Sequence, residues 1–218
     1  MQFTIHNMRQ QDSPTPIMAL QALVKNIVPT NEQTAVWDRA FQHAARELQI
    51  QHHHAKVDCF LIPRPVERKV KFKHFTFGKT SLVGNKKGQI TGVMFYVVAQ
   101  AAPFMIKTFF HETTHVKQLL MEELTMNRRN ILWKPYGSKE PAEKWDKREY
   151  SFAPWEEQAN AFSEKAYTAF LRREVTRQMK DESVHAYHVA AALRFIFPQE
   201  DVFRVTQELH RDREERVS

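Results

Sequence analysis

The sequence predicts an α+β fold, on three observations. Apolar residues recur at helical spacing before residue 50 and again from about 103 to the C-terminus. Between about 56 and 100 the period shortens to two, the mark of strands. Glycine is scarce, at five, which argues against a barrel or propeller built from many tight turns. The 218 residues are enough to bury a real core. They are expected to form a single domain, with N-terminal helices over 1–50, a sheet over 56–100, helices and an aromatic loop over 103–180, and C-terminal helices over 183–213.

The first dozen residues are polar and are expected to lead in loosely. After Pro14 and Pro16, Met18, Leu20, Leu23, Val24 and Ile27 fall on one helical stripe, ended by Pro29. Thr30 with Gln33 makes a capping box for a second helix to about Ile50. Its apolar face is Val36, Trp37, Ala40, Phe41, Ala44 and Leu48. His52, His53 and His54 follow. Consecutive residues leave a regular element on different faces, so they are expected to be a polar loop and not a metal tract.

Residues 57–62 form the first expected strand, stopped by Pro63 and Pro65. Residues 69–73 alternate Lys with Val70 and Phe72, a half-exposed strand, and the apolar parity switches before Phe75, suggesting a bulge. Thr80–Val83, the turn at 84–88 and Gln89–Val98 read as a hairpin. Val93–Val98 is apolar on both faces and is expected to lie centrally. A helix then runs from Pro103, suited to a first turn, to Met126, packing through Phe104, Phe110, Thr114 and Leu120. Residues 131–153 are irregular and aromatic, and read equally as a functional loop or as a lid over a core edge. Pro154 opens the next helix, to about Met179, packing through Phe162, Ala166, Phe170 and Val175. Helices over 183–195 and 199–211 end the chain.

Composition narrows the function. The net charge is +7 with pI near 9.5, but Lys and Arg are dispersed among Glu, with no block of five like charges. That favours weak electrostatic association with nucleic acid over a dedicated site. No apolar run is long enough for a membrane span. No secretory signal is visible, and Cys59 is the single cysteine, so a cytoplasmic location is expected.

Within the helix from Pro103 stands His111-Glu112-Thr113-Thr114-His115. Residues i and i+4 share a helical face, so the two imidazoles can close on one Zn²⁺. Glu112 then lies beside the metal, placed to take a proton from its water. With 11 histidines in the chain, chance supplies this motif roughly 0.05 times. A third ligand is required. Histidine at metzincin spacing fails, because Gln118 stands where that motif has glycine and Met121 where it has histidine. Glu122 and Glu123 follow on the same expected helix and cannot curl back. Glu156 begins a separate helix and is the expected ligand, with Glu157 the runner-up about 100° away. A first-turn glutamate is also favoured by the helix dipole alone. Asn160 would orient a ligand from behind.

Residues 111–118, then Trp133 and Tyr136, then Tyr150 and Pro154-Trp155-Glu156-x-x-Ala159, resemble the small metallopeptidases often carried by bacteriophages. Glu156-x-x-Ala159-Asn160-x-Phe162 is also similar to the third-ligand helix of ImmA/IrrE-type metallopeptidases, though the interval before Glu156 is long for that type. The resemblance covers about residues 105–165. It implies a minimal gluzincin-like fold: a small, mostly antiparallel sheet, a metal helix and a glutamate helix. It implies one zinc per chain on His111, His115 and Glu156, with Glu112 as general base. The expected activity is hydrolysis of a peptide or protein substrate, by an endopeptidase more than an exopeptidase, in the host cytoplasm if phage-encoded. Tyr136, Tyr150, His185 and His188 are candidate oxyanion donors. The 78–83 strand is a candidate edge that could hold an extended peptide. Competing with this is a basic nucleic-acid- or protein-binding module whose zinc site is vestigial or structural; a zinc hydrolase acting on a non-peptide amide is a third reading.

Overall fold

The computed structural model describes residues 1–7, 31–62, 78–84, 90–98, 104–126, 130–146, 153–179, 186–194 and 196–217. They form an α+β fold. Its elements are β1 (Gln2–Asn7), α1 (Asn31–Glu47), β2 (Lys56–Ile62), β3 (Gly78–Gly84), β4 (Ile90–Val98), α2 (Phe104–Leu120), β5 (Leu124–Met126), β6 (Ile131–Trp133), β7 (Glu143–Trp145), α3 (Pro154–Gln178), α4 (Ala186–Leu193) and α5 (Gln199–Val217). The readings made for 17–28, for 69–73 and its bulge, for Pro103 and for the turn after Gly84 lie outside the described residues.

The main sheet has the order β1-β2-β4-β3. It is mixed: β1 with β2 and β2 with β4 are parallel, and β3 with β4 is antiparallel. This corrects the mostly antiparallel sheet expected above. The chain between β1 and β2 includes α1 and returns in the same direction, and β4 inserts between β2 and β3, so β2 never pairs with its successor. The loose N-terminus is also corrected for its described residues, because Gln2–Asn7 is a strand, the outer one beside β2 among the described residues. Phe3 explains its docking: its ring stacks on Phe41 of α1 at 3.6 Å between centroids. β4 is central, as its two apolar faces predict, with Val93, Phe95 and Val97 fully buried.

The expected face of α1 is the buried one, through Val36, Trp37, Ala40, Phe41 and Ala44. α1 is tied to α3 by Arg39, whose guanidinium grips the fully buried Glu174 carboxylate at 3.0 and 2.8 Å. Phe109, Phe110 and Phe170 form the middle of the core. α2 stops at Leu120, short of the Met126 expected from sequence. Glu122 turns left-handed, with φ of 56°, and Leu124–Met126 pairs with β6 in a second, antiparallel sheet β5-β6-β7. The aromatic stretch is therefore partly regular. Phe104 is 61% exposed, against the packing expected of it, and is the first residue of α2. No described helix is long and apolar enough to cross a membrane.

His43 of α1 is buried against the rings of Phe110 and Phe170. Burial lowers its pKa, aided by the charges of Arg173 and Arg46 and opposed by Glu47. The folded chain thus holds fewer protons at this site than the unfolded chain, whose imidazole titrates near 6.5. The stability it contributes is present above that value and is lost as pH falls below it. Thermal unfolding followed from pH 7.5 to 5.5 should show a shallower loss of Tm in His43→Leu than in the wild type. An unchanged slope would contradict this assignment.

Candidate metal centre

Two helices build the centre. α2 presents His111 and His115 one turn apart, and its buried Thr113 and Thr114 hydroxyls donate to the carbonyls of Phe109 and Phe110. That lets polar residues stand on a face pressed into the core. α3 begins at Pro154 and faces α2 with small residues, Ala159, Ser163 and Ala166, all buried. Its first turn carries Glu156. Three tryptophans brace this turn, Trp155 lying 6.0 Å from Trp133 and 5.7 Å from Trp145 between ring centroids.

His111, His115 and Glu156 converge there. The two Nε2 atoms are 3.0 Å apart. Glu156 offers Oε2 to His111 at 3.2 Å and Oε1 to His115 at 3.3 Å. Ligands bound about 2.0–2.1 Å from a tetrahedral centre lie about 3.3 Å from one another, so the spacing already suits a metal ion. Glu157 is exposed, and the choice between the two glutamates falls to Glu156, which is 8% exposed.

Hydrogen bonds behind the imidazoles decide what faces the centre. His111 Nδ1 meets Asn160 Oδ1 at 3.0 Å, and His115 Nδ1 meets Gln118 Oε1 at 2.7 Å. An amide oxygen only accepts, so in this arrangement each imidazole donates from Nδ1, which leaves its Nε2 to face the centre as a ligand nitrogen. Two lone pairs and a carboxylate then point at one spot, an arrangement that calls for a cation. A proton is the smallest candidate. Burial alone would lower the pKa of His115, but the hydrogen bond its imidazolium donates to Glu156, the charges of Glu112 and Glu156 and the Gln118 bond together raise it. A divalent ion competes for the same position.

Glu112 is buried on the same helix. Burial pushes its carboxyl above the usual range, aided by Glu156 and opposed by His115, Thr80 and His111. Thr80 of β3 donates to Glu112 Oε2 at 2.6 Å. Gly78, also on β3, leaves the room Glu112 occupies: a Cβ there would stand 2.5 Å from Oε1 and 2.7 Å from Cγ. Gly78→Ala should therefore displace the carboxylate and lower the Tm of thermal unfolding, and an unchanged Tm would contradict the contact. Cys59 is buried nearby, its thiol pushed well up by burial and by Glu112, which leaves it inert.

Of the sequence candidates, His111, Glu112, His115, Glu156 and Asn160 are brought together. Tyr136 is 70% exposed, its backbone N–H donating to Glu123 at 3.0 Å, and His188 is exposed on α4. Tyr150 and His185 lie outside the described residues. Gly78, Thr80 and Gln118 were missed. In sequence Gln118 stands only within the 111–118 stretch and where the metzincin motif has glycine, and the 78–83 strand suggests a peptide-holding edge and not a support for Glu112. The chain matches no protein-family model, no curated protein and no solved structure.

Proposed function

We propose that the chain is a zinc-dependent peptidase of gluzincin-like construction. His111, His115 and Glu156 hold the metal, and Glu112 is the general base. The observation that carries this reading is the convergence of two imidazole lone pairs and one carboxylate beside a buried glutamate. Bound there, Zn²⁺ would supply a water acidified toward neutrality and a Lewis acid for a substrate carbonyl.

The remaining work falls to the protein. Thr80 occupies Oε2 of Glu112, leaving Oε1 to take a proton from the attacking water and pass it to the leaving amine. Burial holds this carboxyl above its ordinary range, the direction that strengthens a carboxylate as a proton acceptor. Asn160 and Gln118 hold the imidazoles against rotation. Solvent and substrate enter on the side of His111, whose side chain is 20% exposed against 7% for His115. Among the described residues β3 is the outer strand of its sheet, and its Thr80 touches Glu112; an extended peptide could pair along it.

The test is hydrolysis of unstructured fluorogenic peptides, abolished by a chelator and restored by zinc. Proline placed singly at Ser81 and at Leu82 should lower kcat/KM in at least one case, since one of two adjacent N–H groups faces away from β4. Zinc-loaded protein that cleaves no peptide would transfer the case to a binding module with a structural metal.

A further inference from the structure

We propose that Gln118 is the positioning residue of this centre: a single side-chain amide that fixes His115 in its Nδ1–H tautomer and ties the histidine helix to the peptide unit preceding Glu156. The inference rests on the metal reading above and adds to it a residue that sets the metal affinity.

Gln118 is fully buried, so each of its polar atoms must find a partner inside the protein. Its Nε2 donates to the carbonyl of Trp155 at 2.9 Å and to Oε1 of Gln158 at 2.7 Å. Its Oε1 accepts from His115 at 2.7 Å. The amide's orientation is decided by the Trp155 carbonyl, which can only accept. Turned over, the amide would set its oxygen against that carbonyl and lose both donated bonds. Oε1 must therefore face His115, and His115 must donate from Nδ1. Its Nε2 lone pair is left for the metal.

The same amide spans the two ligand-bearing elements. His115 lies one helical turn before Gln118 on α2, and the Trp155 carbonyl belongs to the peptide bond whose nitrogen is that of Glu156. One rigid planar group thus touches a ligand imidazole on one side and the backbone of the ligand carboxylate on the other. Other side chains fail in specific ways. Methionine has the reach but neither donor nor acceptor, glutamate would oppose two oxygens at Trp155, and asparagine is one methylene short. Asn160 serves His111 through one bond from an exposed position, so it lacks this double attachment.

The experiment is zinc binding by competition with a chromophoric chelator, on the full chain and on Gln118→Met, Gln118→Glu and Glu156→Ala. Gln118→Met should bind zinc roughly 10- to 100-fold more weakly than the wild type. Gln118→Glu, which keeps an acceptor for His115, should recover part of that loss. A second readout needs no variant: nitrogen-15 shifts of the zinc-free wild type at alkaline pH should place the His115 proton on Nδ1. A proton on Nε2 would overturn the proposal, whether or not the variants fold. So would a Gln118→Met protein within about threefold of wild-type affinity, provided Glu156→Ala loses zinc; that pattern would leave the metal site standing. A wild type that takes up no zinc would overturn both.

Discussion

Replacing Glu112 with glutamine is expected to lower the rate of peptide hydrolysis by roughly 10²- to 10⁴-fold while leaving zinc uptake unchanged. Glutamine matches glutamate in size, which matters because Gly78 already leaves no spare room against this side chain. It also keeps an oxygen for the Thr80 hydroxyl, now bonded to Oε2. What it loses is the capacity to take a proton. The deficit should fall equally on kcat and kcat/KM, because the missing proton transfer belongs to the transition state. Zinc lost together with activity would mean that Glu112 serves the metal directly. Unchanged hydrolysis would remove it from the chemistry.

Phe109→Ala is expected to cost about 3–5 kcal/mol of stability, read as a fall in Tm of about 6–20 °C for a chain of this size. Phe109 is fully buried where four elements meet. Its ring lies 6.5 Å from Phe3 of β1, 5.2 Å from Trp37 of α1 and 5.4 Å from Phe95 of β4, centroid to centroid. Truncation leaves a cavity that those rings, fixed in separate elements, cannot all move to fill. Phe110 beside it packs on Phe170 and Phe162 of α3, so the two residues before His111 set the position of the metal helix against sheet and partner helix alike. A Tm change of only a few degrees in thermal unfolding would show that the layers are joined elsewhere.

Local periodicity made much of this legible in advance. The face of α1, the central position of β4, and the share of α2 and α3 in the site all follow from apolar spacing and one five-residue motif. Glu156 was reached by excluding ligands that one helix cannot supply. What escaped depends on partners distant in sequence. β1 is six residues long, with too few alternating positions to declare itself, and its pairing with β2 comes through Phe3 docking on Phe41. The mixed order of the main sheet depends on β4 inserting between β2 and β3, which no local pattern encodes. α2 ends early because Glu123 turns inward: its buried carboxylate pairs with Lys117 and accepts from the Tyr136 backbone, and a helix continued to Met126 could not do both. Gly78, Thr80 and Gln118 acquire their roles only once β3 and α3 are set beside α2.

The most direct test is metal content by elemental analysis of the full chain and of Glu156→Ala, purified alike with zinc supplied. The proposed function predicts about one zinc per chain in the wild type, as befits a three-ligand catalytic site, and loss or sharp weakening of binding in the variant. No metal in the wild type, or equal zinc in both proteins, would contradict the His111–His115–Glu156 centre, and iron in place of zinc would contradict the hydrolytic function drawn from it.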